Sequence, residues 1–340
     1  MRYPRQIHRL VSLALLTVLA LSSLQPATAA PQKEAKGKQE DRKEKKETPR
    51  GAPVLWRAPA DIVTRDLYLG PGGESMRPDL RKVTFLKDET GGGYSTKFRV
   101  RDASGHEWVA KVGKEAQSET AAVRLIWAVG YVTEVVYLVP RLNVEGKGAF
   151  DNVRLEARPD SVKRLDEWKW ADNPFEGTKE LQGLIVMMAL LNNWDIKDTN
   201  NKVLYVRDEA TGRGESRYVV SDLGATFGRV KVNVPGVWRL QRSRNNPEDY
   251  WKDPFLEDVK NGQVFFFYKG KRQDLFDDIR IDEARWIAAL LSKLSDRQIS
   301  DAFRAANYTP AEIRSLTEAV RARINELASI RGNAPLASNP

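Results

Sequence analysis

Between Thr178 and Asn192 the chain runs TKELQGLIVMMALLN. Nearly every position in the middle of that run is apolar, so it predicts a helix buried on all sides, with Thr178 as its cap. Such a helix needs a lobe built around it. The lobe must be held by packing alone, because the sequence contains no cysteine and so no disulfide framework. Nine Trp, ten Tyr and eleven Phe supply ample core material.

Upstream of that helix the periodicity is different. Val83–Leu86, Lys97–Arg101 and Glu107–Val112 alternate as strands. From Ser118 the pattern turns helical: Ala122, Leu125, Ile126 and Val129 share a face, and Gly130 follows as a stop. Val135–Val139 and Val153–Ala157 read as further strands. Downstream come the polar loop NNWDIKDTNN, strands Lys202–Val206 and Tyr218–Val220, and the loop Ser221-Asp222-Leu223-Gly224. Asp249-Tyr250-Trp251 reads as a turn and Phe265–Tyr268 as a buried strand. Ile281–Leu294, Ser295–Ala305 and Thr309–Ser329 read as helices, the last opened by the capping box Thr309-Pro310-Ala311-Glu312. The expected class is α+β. A small antiparallel β lobe with one helix spans residues 53–158, and a larger, mainly helical lobe spans 159–332.

The ends carry other signals. Arg2, Arg5 and Arg9 precede an apolar run from Leu10 to Leu24, and Ala27-Thr28-Ala29 has the small-x-small pattern of a signal-peptidase site. Residues 1–29 therefore predict a cleavable signal peptide and an exported, periplasmic or secreted protein with no transmembrane span after cleavage; the competing expectation is an uncleaved anchor. Residues 30–52 predict a disordered charged linker and residues 333–340 a disordered tail. Of the formal charge of +9, residues 1–30 carry three and residues 31–50 another three, leaving +3 on the body. That balance argues against a nucleic-acid partner, whose affinity would come from massed Lys and Arg.

Missing residue types narrow the chemistry. His8 and His106 are the only histidines. A cysteine nucleophile is impossible, a Ser-His-Asp triad would have to use His106, and a zinc site with Cys or several His ligands cannot be assembled. Carboxylates, amides, Lys and Arg remain, with a hard cation that prefers oxygen ligands.

Asp195-Ile196-Lys197-Asp198-Thr199-Asn200 has the spacing D-x-K-x-x-N. Phosphoryl transfer needs a carboxylate near the attacking hydroxyl, a cation near the moving group, and oxygen ligands for a metal. Asp195 fits the base, Lys197 the cation, Asn200 the amide ligand and Asp222 the metal-binding carboxylate. Upstream, Lys111 ends the third strand in Val109-Ala110-Lys111, and Glu119 lies near the start of the next helix, as its ion-pair partner. Glu115 stands nearer to Lys111 in sequence; Glu119 is preferred because the apolar stripe follows it. Gly91, Gly92 and Gly93 lie between the first two strands, where a loop covering phosphates belongs.

In that order, these motifs resemble the protein-kinase-like superfamily, in its divergent branch of phosphoinositide kinases, HipA toxin kinases and secreted atypical kinases. The resemblance covers roughly residues 84–228. It implies a bilobal fold with ATP between the lobes and Mg²⁺ or Mn²⁺ held by Asn200 and Asp222. Asn193-Trp194 replace the His-Arg that usually precedes the catalytic Asp, Leu223 replaces a Phe, and no Ala-Pro-Glu segment is present. The resemblance thus implies a phosphotransferase acting on an unidentified hydroxyl, with a catalytically silent binding module in the envelope as the alternative. A third expectation gives Asp195 and Asp198 to glycan chemistry, with the tryptophans as sugar platforms, although Trp168 and Trp170 are expected mainly to cap the core.

Overall fold

A computed structural model of the chain describes residues 51–89, 95–207, 211–232 and 240–331. The expected signal peptide, nearly all of the expected charged linker, Gly91, Gly92, Gly93 and the tail at 333–340 lie outside the described residues.

The described part opens with β1 (Ala52–Val54) and, after a long segment with a single 3-10 turn, enters β2 (Thr84–Asp88), β3 (Thr96–Arg101) and β4 (Glu107–Val112). Helix α1 (Glu115–Ala128) follows, then β5 (Val136–Val144) and β6 (Gly148–Ala157). The five strands β2 to β6 form one antiparallel sheet in the order β2-β3-β4-β6-β5. The alternation in β4 sorts its residues by face. Trp108 and Ala110 enter an apolar cluster with Phe98, Val100, Val153 and Leu155. Val109 and Lys111 therefore point to the opposite face, beside Glu156 and Arg154 of β6 in the cross-strand register.

Helix α1 starts three residues earlier than the apolar stripe predicts, because its first turn is polar and is held from outside. Ser118 Oγ donates to the carbonyl of Gly224 at 2.9 Å, and a Cβ on Gly224 would sit 2.7 Å from Cβ of Glu115. The Asp-Leu-Gly turn thus lies directly against the start of α1.

In the second half, β7 (Val162–Arg164) leads to α2 (Lys179–Leu190), then to the hairpin β8 (Asn201–Arg207) and β9 (Gly214–Val220). These strands build a second sheet in the order β1-β9-β8-β7, in which β1 runs parallel to β9. Helix α2 is buried as its composition demands. Thr178 Oγ1 accepts from the Leu181 N–H at 3.2 Å, and Met187, Met188 and Leu190 are fully inaccessible. Each such side chain stabilises the core by about 1.5–3 kcal/mol. Just beyond its C-cap, Asn192 turns the chain with φ 50°, a conformation that asparagine tolerates.

The remainder contains β10 (Val230–Val232), β11 (Leu240–Arg242), α3 (Pro247–Lys252), β12 (Leu256–Lys260), β13 (Gln263–Phe266), α4 (Ile281–Leu291), α5 (Asp296–Ala305) and α6 (Pro310–Ser329). Asp249-Tyr250-Trp251, expected as a turn, lies inside α3. Asn246 caps that helix, accepting from the Asp249 N–H at 3.1 Å, with Pro247 at its first position. Arg323 of α6 reaches under α2 and donates to the carbonyls of Leu190, Tyr250 and Asp253, and so ties the C-terminal ends of α2 and α3 to α6. Trp168 and Trp170 are buried in the same core, so neither offers a face to a sugar. Among the described residues no helix is long and apolar enough to cross a membrane.

Candidate active site

A cleft of about 680 Å³ lies between the underside of the first sheet and the loops that follow α2 and β9. Lys111 stands at its centre and is 1 % exposed. Its Nζ lies 2.8 Å from Oε2 of Glu119, 2.9 Å from Oε2 of Glu115 and 3.5 Å from Oδ1 of Asp222. Both candidate glutamates therefore reach the lysine, since they stand one helical turn apart on α1. Burial works against the Lys111 ammonium, but the carboxylates of Glu119, Asp222 and Glu115 outweigh it and hold its pKa above the usual lysine range.

Glu119, also 1 % exposed, bridges Lys111 to Arg154, whose Nη1 lies 3.1 Å from Oε1. Burial pushes the Glu119 carboxyl upward against the pull of these two cations. With two cations at hydrogen-bond distance, the ionised form is the one the geometry fits. Glu115 is tied in addition to Arg244 and Ser95. Asp222 leaves 42 % of its side chain exposed in the cleft. Burial acts to raise its pKa, and Lys111 with the Gly224 N–H more than offsets this, so the carboxyl is held below its ordinary range.

The loop after α2 delivers the other candidates. The side-chain amide nitrogen of Asn200 donates to the Asp195 carbonyl at 2.7 Å, which leaves the amide oxygen as the atom available to a cation. The Asn200 carbonyl accepts the N–H groups of Ser221 and Asp222 at 2.7 and 3.2 Å, and so joins the two loops. Lys197 Nζ sits 2.8 Å from Oδ2 of Asp195. Asp198, by contrast, turns away to the Trp170 N–H and Arg272. The two loop carboxylates thus do not act as a facing pair. Lys111, Glu119, Asp195, Lys197, Asn200 and Asp222 all line the one cleft. Gly91, Gly92 and Gly93 lie outside the described residues.

Several groups at the site carry no sequence motif. Lys271 Nζ lies 2.6 Å from Oδ1 of Asp195, so that ammonium groups flank both carboxylate oxygens. Lys271 arrives on a strap clamped to the loop: its N–H donates to the Trp194 carbonyl at 2.9 Å, and the Tyr268 hydroxyl donates to the Asn193 carbonyl at 2.7 Å. The strap passes so close that a Cβ on Gly270 would meet Trp194 Cα at 2.6 Å. Nothing near position 271 announces this contact, which joins points 76 residues apart. Arg154 and Glu156 did leave a trace: charged residues that alternate with Val153 and Leu155 on a strand otherwise fit for burial.

A second ion cluster closes one end of the cleft. Arg154 pairs with Glu156 at 2.8 Å, Arg158 pairs with Glu156, and Arg164 pairs with both Glu134 and Glu156. Ser221 Oγ donates to Glu134 at 2.8 Å and accepts from Arg164 at 3.0 Å. Burial, and then the adjacent Glu156 carboxylate, push Glu134 up to about 7. Burial also opposes the Glu156 anion, but Arg158, Arg154 and Arg164 outweigh it and keep that carboxyl well below its usual range. Because the folded-state value of Glu134 is raised, its proton contributes stability that is complete below about pH 4.5 and lost as the pH rises through about 7. Urea unfolding at pH 5 and pH 7.5 is expected to show wild type losing about 2 kcal/mol more than Glu134→Gln over that interval. Parallel pH profiles for the two proteins would refute the assignment.

No protein-family model and no curated protein matches the sequence. Three solved kinases are similar to it in three dimensions. A proinflammatory kinase of Helicobacter pylori, CtkA, shares 11 % identity at a TM-score of 0.44, over 73 % of this chain and 98 % of that one. The Golgi casein kinase with Mn and ADP bound shares 9 % at 0.38, over 74 % and 73 % of the two chains. The Rio2 kinase of Chaetomium thermophilum, in its ADP/Mg²⁺-phosphoaspartate complex, shares 11 % at 0.31, over 71 % and 72 %. The functional reading below rests on the side-chain geometry.

Proposed function

We propose that the chain is an exported phosphotransferase that moves a phosphoryl group from ATP, bound with Mg²⁺ or Mn²⁺, to a hydroxyl acceptor. One observation carries this reading: the ammonium of Lys111 is buried between Glu119 and Asp222, residues from opposite walls of a cleft, with the Asn200 loop bonded to the Asp222 backbone. A buried cation aimed into a polar cleft beside a carboxylate and an amide oxygen suits a metal-bound polyphosphate.

The donor set fits a hard cation held only in part by protein. Among the described residues no cluster of three or more His, Cys, Asp or Glu could hold a metal. Asn200 and Asp222 would be the protein ligands and phosphate oxygens the rest, which is the usual arrangement for Mg²⁺. The cation would neutralise charge on the phosphates. Lys111, kept in place by Glu119, binds the same phosphates. Asp195 orients the acceptor hydroxyl and takes its proton as the new P–O bond forms and the bond to the departing diphosphate breaks. Lys197 balances charge on the group in flight. Export rests on the pattern in residues 1–29.

With labelled ATP and either cation, the full chain is expected to transfer phosphate to water or to a hydroxyl acceptor. Asp195→Asn should lower that rate by roughly 10²–10⁴-fold while nucleotide affinity is kept. Wild-type protein that binds ATP with the cation but transfers nothing would instead be the silent binding module.

A further inference from the structure

The described lining of the cleft offers little for reading a nucleobase. Among its described lining residues, ten are Lys or Arg against five Asp or Glu, and only Val109 and Trp194 are apolar. A flat base is held by apolar or aromatic faces and is identified by polar groups aimed at its edge. Trp194 offers no vacant face of that kind: the guanidinium groups of Arg242 and Arg244 lie over its ring at 5.3 and 5.1 Å, and its Nε1 donates to the Ser243 carbonyl.

The segment joining the two sheets has its first N–H groups already paired. The N–H of Ala157 is taken by the Val135 carbonyl and that of Arg158 by the Glu107 carbonyl. Pro159 has no N–H to give, and its carbonyl accepts from Val162. A neighbouring cavity of about 500 Å³ does have apolar walls, formed by Val135, Val162, Leu204 and Val206 with Met76, Ala157 and Pro159. Yet Arg158 and Arg164, which line both spaces, are locked to Glu156 and Glu134. A base entering that cavity with its phosphates beside Lys111 would meet guanidinium groups already engaged by carboxylates.

We infer that the cleft recognises its phosphoryl donor through the polyphosphate arm alone and does not discriminate the base. The donor class is then any metal-bound triphosphate, with or without a nucleoside. Lys97 and Arg242, for which no carboxylate lies within ion-pair distance among the described residues, extend the cationic lining beyond Lys111. This inference rests on the phosphotransferase reading above.

The test is calorimetric titration of the full chain, at fixed Mg²⁺ and again at fixed Mn²⁺, with ATP, GTP, CTP, inorganic tripolyphosphate and adenosine. The expected result is that the four triphosphates bind with dissociation constants within fivefold of one another and that adenosine does not bind. A preference for ATP of more than fivefold over GTP or tripolyphosphate, or binding of adenosine alone, overturns the inference and leaves the phosphotransferase reading standing. Failure of every triphosphate to bind with either cation overturns both.

Discussion

Asp222→Ala is expected to abolish cation-dependent nucleotide binding and to reduce phosphoryl transfer by roughly 10³-fold, the scale seen when one electrostatic group is taken from a preorganised site. In the proposed reading Asp222 is where the cation and the donor phosphates would meet Lys111, which lies 3.5 Å from its carboxylate, so its loss would remove a metal ligand and a partner of the lysine together. The fold should survive. The Asp222 N–H keeps its bond to the Asn200 carbonyl, its side chain is 42 % exposed, and Lys111 retains Glu119 and Glu115. Titration with ATP and Mg²⁺, beside a thermal melt, checks both parts. A folded variant with unchanged nucleotide affinity would remove Asp222 from the site.

Glu119→Gln should have the largest effect on stability, lowering the unfolding free energy by about 3 kcal/mol. Glu119 is the only carboxylate that neutralises both Lys111 and Arg154 among the described ion pairs. Both cations are buried. Taking its charge away leaves them facing each other in a medium where neither can be hydrated. Glu156 still serves Arg154, and Glu115 and Asp222 still serve Lys111, which keeps the loss at the lower end for a broken buried pair. Glu115 sits at the mouth of the same network, more accessible to water, so Glu115→Gln should cost no more than about 1 kcal/mol. Urea unfolding of the two variants provides the comparison. Equal losses would mean that burial does not rank these carboxylates.

Much of this was legible beforehand, for identifiable reasons. The alternation in Glu107–Val112 matched β4 because a strand sends every second residue to the same face, even though both faces of β4 are covered. The apolar run after Thr178 gave α2 and its cap for an equally local reason. Boundaries slipped where the signal was not burial. Helix α1 begins at Glu115 rather than Ser118, because a polar first turn packed on another loop has no apolar stripe. Helix α3 was read as a turn because its six residues are too short to show a period, although Asn246-Pro247 was a start signal.

The sequence by itself determined the order of strands and helices and nominated Lys111, Glu119, Asp195, Lys197, Asn200 and Asp222 as candidates by residue type and spacing. Only the tertiary structure decided which groups meet. It brought Lys271 to Asp195 from a strap 76 residues away, set Glu115 beside Glu119 on the same lysine, and enclosed Glu134 and Glu156 among three arginines. Periodicity records how a segment relates to its nearest surface over a few residues. An ion pair between distant segments depends on how whole elements dock, and it leaves no local repeat in the chain.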